Sequence, residues 1–312
     1  MEKIRIITES ASDMGTPERE DVTVLPMHIT FGEKEYLDGV DLSHREFYNM
    51  LIESDELPKT SLISPGTFAD EFEKAEKAGE QVVVIVLSAK LSGTYQSAMV
   101  AAADYDNVTV VDSESVAVGE RILVDYALRL KDQGKTAAEI AEELETAKKK
   151  VHVIALLDTL EYLKKGGRIS KSVAMIGGML SIKPVVTVED GVVAVLGKAR
   201  GSKNGNNLLV KEIQNAGGID FSLPFWLGYT GINDALLQKY IQDLRADAAR
   251  THNEIDLAHC NFLLQIQELL EHNDFLTAQS QQIREFYKYM AREYPFLAFT
   301  FKGRIKSLIR AE

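Results

Sequence analysis

The run Gln81-Val-Val-Val-Ile-Val-Leu87 constrains this chain more than any other stretch. Consecutive β-branched residues favour extended backbone, and an apolar run without polar alternation implies a strand buried on both faces. Such a strand belongs in the middle of a parallel sheet with helices covering each side. Its flanks agree. Pro65-Gly66-Thr67 opens a helix with Phe68, Phe72 and Ala75 on one face, and Ser88-Ala-Lys-Leu-Ser-Gly-Thr94 leads into another from Tyr95 to about residue 104. Residues 4–8 and 108–111 read as further strands, and 22–29 as one whose Pro26 marks an edge or irregular end. A helix carrying Phe47, Met50 and Leu51 follows Asp41-Leu-Ser-His-Arg45, and Thr136 with Glu139 forms a capping box opening a helix that runs to Lys148–Lys150.

The rhythm changes after residue 151. A strand at 151–156 and a helical turn at 160–164 precede an apolar helix at 175–180. Residues 182–188 and 191–196 read as a hairpin through Glu189-Asp190-Gly191. A strand at 225–229 and a helix at 235–249 complete the pattern. The expected architecture is α/β: a parallel-sheet domain over 1–150, an α+β domain over 151–250, and an atypical helical segment over 251–312. In that last segment Phe262, Ile266, Leu269 and Leu270 share one stripe.

Charge narrows the partners. Forty-seven acids against 35 bases give a net charge of −12, which disfavours nucleic acid and acidic lipid surfaces. The excess lies before residue 250; the near-neutral tail ends with Lys302, Arg304, Lys306 and Arg310. The hydrophobic fraction of 45% is that of a globular chain. Cys260 is the single cysteine, so no intramolecular disulfide or thiolate zinc cluster is expected. With no apolar run near ~18 residues and no signal-peptide core at the start, a soluble cytoplasmic protein is expected.

Candidate chemistry concentrates in hydroxyl-bearing loops. Ser92, Gly93 and Thr94 lie where the buried strand hands over to a helix, whose free N–H groups and positive dipole end suit an anion. A simple helix cap explains the same residues. Thr60 and Ser61 lie in a loop before a helix, and Ser10 and Ser12 follow the first strand; each has a cap or turn as its alternative. Three such loops at one sheet edge would converge on a carboxylate or phosphate. The chain has no phosphate-binding P-loop, dinucleotide fingerprint, zincin motif or nucleophile elbow, so no metal, cofactor or catalytic residue is expected. His28 and His44 have no recognisable acid partner, and His252 with His259 reads as solvated surface or a weak ligand pair. Two basic patches, around Arg168 (with Lys164, Lys165 and Lys171) and Arg200 (with Lys198 and Lys203), are either ordinary solvated charge or a docking place for an acidic partner.

Seven motifs together carry a family likeness: Pro58-Lys-Thr-Ser61, Ser64-Pro-Gly66, Leu91-Ser-Gly-Thr-Tyr-Gln-Ser97, Val111-Asp-Ser113, Leu163-Lys-Lys-Gly-Gly-Arg-Ile-Ser170, Ile182-Lys-Pro184 and Gly228-Tyr-Thr-Gly231. In order and spacing they resemble the DegV family over about residues 1–245. The opening Thr8-Glu-Ser-Ala-Ser-Asp13 is similar too, with Glu9 where the family usually has Asp. The resemblance implies a two-domain carrier, not an enzyme, that binds one long-chain fatty acid. It presents the carboxylate to a separate fatty acid kinase, whose acyl-phosphate feeds phospholipid synthesis in bacteria. It implies that Thr60, Ser61, Ser92 and Gly93 hold the carboxylate, with Thr94 beside them, and that Arg168 and Arg200 dock the kinase. An apolar tunnel would take the acyl chain, with Met175, Ile176, Met179, Leu180 and Phe225 as lining or as ordinary core.

The family's usual final strand and histidine-bearing Gly-Pro-Gly loop are absent after residue 250. Phe301-Lys-Gly-Arg-Ile-Lys-Ser307 faintly resembles the start of a GTP pyrophosphokinase domain. Two further readings follow: a phosphotransfer or alarmone-type enzyme acting through the tail, and a remnant whose pocket does not close.

Overall fold

The computed structural model describes residues 2–17, 19–54, 56–169, 181–220, 222–231, 233–235 and 237–242. The chain divides into two units, Met1–Trp226 and Leu227–Glu312. In the first, the strands are β1 (Ile4–Glu9), β2 (Val22–Leu25), β3 (His28–Phe31), β4 (Lys34–Leu37), β5 (Lys59–Ser61), β6 (Gln81–Val86), β7 (Val108–Asp112), β8 (Ile154–Leu156), β9 (Ile182–Glu189) and β10 (Val192–Arg200). Its helices are α1 (His44–Glu53), α2 (Pro65–Ala78), α3 (Thr94–Ala102), α4 (Val118–Asp132), α5 (Ala137–Ala147), α6 (Glu161–Lys165) and α7 (Ser202–Asn215). In the second unit residues 235 and 237–242 are helical, as expected there. The expectations for 170–180 and from residue 243 onward fall outside the described residues, including Lys171, Met175, Ile176, Met179, Leu180, His252, His259 and Cys260.

The architecture is α/β. A four-stranded parallel sheet runs β2-β1-β6-β7, and β6 is central with Val82 through Val86 wholly buried. Its side chains alternate between two cores. Val83 and Ile85 join Ile4, Ile6, Leu123, Val124, Ile140 and Leu144 beneath α4 and α5. Val82, Val84 and Val86 join Phe68, Phe72, Ala75 and Ala98 beneath α2 and α3. This two-sided burial is why the segment carries no polar residue between Gln81 and Leu87. Both expected helix starts hold. The Ser64 side chain accepts from Thr67 N–H with Pro65 in the first turn, and Thr136 and Glu139 form the reciprocal capping box.

A three-stranded antiparallel sheet β10-β9-β8 contains the expected hairpin, whose register shifts between Val195 and Gly197. A second, β4-β3-β5, corrects the sequence reading in three places. Pro26 does not merely roughen one strand over 22–29. It separates β2, in the parallel sheet, from β3, in the small antiparallel one. Thr60 and Ser61 lie not in a loop but on β5, opposite Ile29 and His28. His28 does have an acid partner, Glu35 on β4, at 2.7 Å and exposed.

Residues 225–229 form no strand. Trp226 is held instead by α4: its indole N–H donates to Asp125 at 2.6 Å, and the Arg121 guanidinium stacks 4.5 Å from the ring. Helices α4 and α7 had no counterpart in the pattern reading, although Leu123, Val124, Ala127 and Leu128 have helical spacing.

Replacing the fully buried Phe68 with Ala should destabilise the fold by about 3–5 kcal/mol. Urea unfolding would show this as a lower midpoint at unchanged slope; a shift under about 1 kcal/mol would contradict the two-core packing.

Candidate functional site

Parallel sheets place ligand-binding loops beyond the carboxyl ends of their strands. Here β6 ends at Val86, and Ser88 to Gly93 cross to α3. Gly93 is the cap residue of α3, and the first-turn N–H groups have no carbonyl earlier in the helix to bond. Ser92 Oγ accepts from Thr94 N–H at 3.3 Å and contacts Thr94 Oγ1 at 3.0 Å. The cap position itself, Gly93, has no side chain to bond, and Ser92 makes a local turn onto the first helical N–H; Ser92 is only half-buried and Gly93 is exposed, while Thr94 is fully buried behind them.

The segment holding Thr60 and Ser61 reaches this loop. A Cβ on Gly93 would lie 2.8 Å from Leu62 Cδ2. Next along, Ser97 Oγ donates to the Ile63 carbonyl at 2.5 Å. Both Thr60 and Ser61 are exposed, two residues and one before Leu62. The third loop behaves differently. Ser10 Oγ accepts from Met27 N–H at 3.1 Å, and Ser12 Oγ donates to the Glu9 carbonyl at 2.7 Å. Ser12 thus closes a local turn, whereas Ser10 ties this loop to the chain 17 residues on.

The loop is clamped from the antiparallel part of the same unit. Ser88 Oγ donates to the Gly191 carbonyl at 2.7 Å, and Lys90 Nζ donates to the Asp190 carbonyl at 2.8 Å. Gly191 has φ +75°, and a Cβ there would meet Ser88 Oγ at 2.5 Å, so both geometry and space require glycine. Arg168 Nε donates to the Leu91 carbonyl at 3.3 Å, one residue before Ser92, and its Nη1 donates to Gly166 O. Arg168 is exposed, as are Arg200, Lys198 and Lys203. Among the described residues none of these four has a carboxylate within ion-pair distance, whereas Lys165 pairs with Glu161 at 2.6 Å. No group of three or more metal-ligating side chains occurs among the described residues.

Beneath the loop lie two acids that sequence reasoning did not assign to the site. Glu9, at the end of β1, and Glu120, in the first turn of α4, are both fully buried. Glu9 Oε1 accepts from Leu87 N–H at 3.0 Å, and Glu120 Oε1 accepts from Thr8 Oγ1 at 3.0 Å. The Oε2 atom of each has no hydrogen-bond partner. Burial pushes Glu9 up to about 7, against the opposing pull of the Leu87 N–H and the Thr94 hydroxyl. Burial, then the nearby Glu9, pushes Glu120 well above the ordinary carboxylate range. A helix dipole favours charge in a first turn by about 1 kcal/mol, and desolvation outweighs it. The one sequence signal was Glu9 itself, a methylene longer than the aspartate usual in the resembled pattern. Glu120 gave none, since acids are common in first turns.

These shifts fix a pH dependence. An acid raised on folding contributes stability fully present below its unfolded value near 4.5 and lost as pH rises through its folded value, here about 7 for Glu9. Urea unfolding should show a loss on the order of 2 kcal/mol between about pH 5 and pH 8 through Glu9 alone. Glu9→Gln should flatten that slope. Stability that rises across the window would contradict the burial of this pair.

The geometry is a strand-to-helix loop approached by a hydroxyl-bearing strand and bonded by a hairpin, and the fold that holds it is shared with known proteins. A family model described as an uncharacterised protein of the DegV family matches residues 3–266. A DegV domain-containing protein of Caldanaerobacter subterraneus subsp. tengcongensis is 38% identical over 228 residues, covering 71% of this chain and 80% of the relative. A fatty-acid-binding DegV family protein from Thermus thermophilus superposes with a TM-score of 0.63 at 32% identity, covering 69% of this chain and 78% of that one. A stearic acid-binding protein from Eubacterium ventriosum gives 0.63 at 31%, covering 69% and 76%. With the motifs of both site strands inside these matches, the chain belongs to the DegV family.

Proposed function

We propose that this protein is a lipid-binding carrier that holds one long-chain fatty acid by its carboxylate and presents it to a fatty acid kinase. The observation that carries the reading is the contact between Leu62 and Gly93. It sets the segment that carries the exposed Thr60 and Ser61 beside the loop that carries Ser92 and Gly93, which supports this reading. Relatives named for fatty acid or stearic acid binding share this fold at 31–32% identity. The carboxylate accepts from Thr60, Ser61, Ser92 and the Gly93 amide, and the chain lies along apolar surface. Each buried CH₂ contributes ~0.8 kcal/mol, so the tail supplies most of the affinity and the polar groups fix its orientation. The exposed Leu62, beside Gly93, is a natural first contact for that tail.

In this reading residues 1–150 form the carboxylate-binding domain and 151–250 complete the pocket. The exposed cations Arg168 and Arg200 dock the kinase, in the cytoplasm. The protein itself performs no chemistry. No helix among the described residues is long and apolar enough to cross a membrane.

Native mass spectrometry of protein purified from a bacterial lysate tests the reading. A bound C16–C18 acid is expected; protein that is empty and stays empty on adding oleate would leave the remnant reading standing. Ser92→Ala removes a hydrogen bond to a charged group and should weaken oleate binding roughly 10- to 100-fold. Arg200→Glu should abolish kinase-dependent acyl-phosphate formation while oleate stays bound. Acyl-phosphate formed by the isolated protein with ATP would instead favour an enzyme.

A further inference from the structure

Ser88 is the residue on which the shape of the Ser88–Gly93 loop depends. It is wholly buried, and each of its polar groups is engaged. Its N–H donates to the Ser115 carbonyl at 2.8 Å, tying the loop to the segment after β7. Its carbonyl accepts from Leu91 N–H at 2.9 Å and from Ser92 N–H at 3.1 Å, closing the turn that sets Ser92 in place. Its hydroxyl accepts from Lys90 N–H at 3.2 Å and donates to the Gly191 carbonyl at 2.7 Å. With its N–H taken by Ser88, Ser92 meets an anion through its hydroxyl, whose aim depends on that turn.

Gly191 belongs to a part of the unit that opens more readily than the parallel sheet. Among the described residues the buried apolar cluster around β9 comprises Leu160, Ile169 and Val186, far smaller than the two cores that enclose β6. A segment with few buried apolar contacts opens locally without unfolding the rest. Three bonds dock it onto the loop: Ser88 to Gly191, Lys90 Nζ to the Asp190 carbonyl at 2.8 Å, and Arg168 Nε to the Leu91 carbonyl at 3.3 Å. Of the three, Ser88 to Gly191 is the buried one, so its loss leaves polar groups unpaired away from water. The tip also has no slack, since a Cβ on Gly191 would meet Ser88 Oγ at 2.5 Å.

We infer that Ser88 is a positioning residue for ligand capture and makes the β9–β10 hairpin part of the site: the loop presents Ser92 only while the hairpin tip is docked, so a carboxylate bound at Ser92 holds the hairpin docked. The identity of the ligand rests on the carrier reading above. Thermodynamic linkage sets the direction. A ligand that binds the docked state alone depletes the open state in proportion to its concentration over Kd. By reciprocity, whatever loosens the tip weakens the ligand by the same factor.

Hydrogen exchange of the full chain with and without oleate reads this coupling, with native mass spectrometry to confirm occupancy. At saturating oleate, exchange across residues 185–196 should slow roughly tenfold or more. Ser88→Ala should bind oleate about tenfold more weakly and, once saturated, lose that slowing. Gly191→Ala breaks the same contact from the hairpin side and should weaken oleate comparably. The double variant should be no weaker than the worse single one, because one contact is lost only once. The measurement on the unaltered protein needs no variant to fold. Oleate bound with hairpin exchange unchanged overturns the coupling and leaves the carrier reading intact. Slowing retained in saturated Ser88→Ala, or losses that add in the double variant, also overturn it. No oleate bound to the unaltered protein sinks the carrier reading, and the coupling with it.

Discussion

Complete burial of β6 is the constraint from which the rest of the structure follows. A strand with no solvated face must have helices on both sides, and α2 with α3 and α4 with α5 supply them. Parallel neighbours then put every strand's carboxyl end at one edge. That edge collects the end of β1 with Glu9, the Ser88–Gly93 loop, and the start of α4 with Glu120. The strand-to-helix loop and the buried acids thus share one origin. Polar groups that enter a doubly covered sheet can do so only where its strands stop.

Legibility in the sequence tracked distance along the chain. The β6 strand, the Ser64 and Thr136 caps and the β9–β10 hairpin were readable because their causes lie within a few residues. The role of Pro26 was half readable: a break was evident, but only the pairing of β3 with β5, some thirty residues on, reveals that the chain changes sheets there. For the same reason Thr60 and Ser61 looked like loop residues. The strand over 225–229 failed because Trp226 satisfies its polar and aromatic needs on α4, about a hundred residues away.

The site was legible in its residue types and opaque in its depth. Ser92, Gly93 and Thr94 could be picked out because a strand-to-helix junction rich in small hydroxylated residues has a known electrostatic use. The burial of Glu120 could not, because nothing local distinguishes a solvated first-turn acid from one sealed beneath a sheet edge. The Ser88–Gly191 bond joins residues 103 positions apart, and only the assembled fold brings them together.

The hairpin clamp also sets a length scale. Gly191 touches the base of the anion loop, and Arg200 lies at the far end of β10. At about 3.3 Å per residue that strand separates the two by about 26–30 Å, less a little for its bulge. The screening length in cellular salt is about 8 Å, so the Arg200 charge is extinguished well before it reaches Ser88. Arg168, bonded to Leu91 beside Ser92, puts its charge within that length of the loop. Arg200 is electrostatically separate from the loop, and only a body long enough to span the ribbon would meet both of its ends.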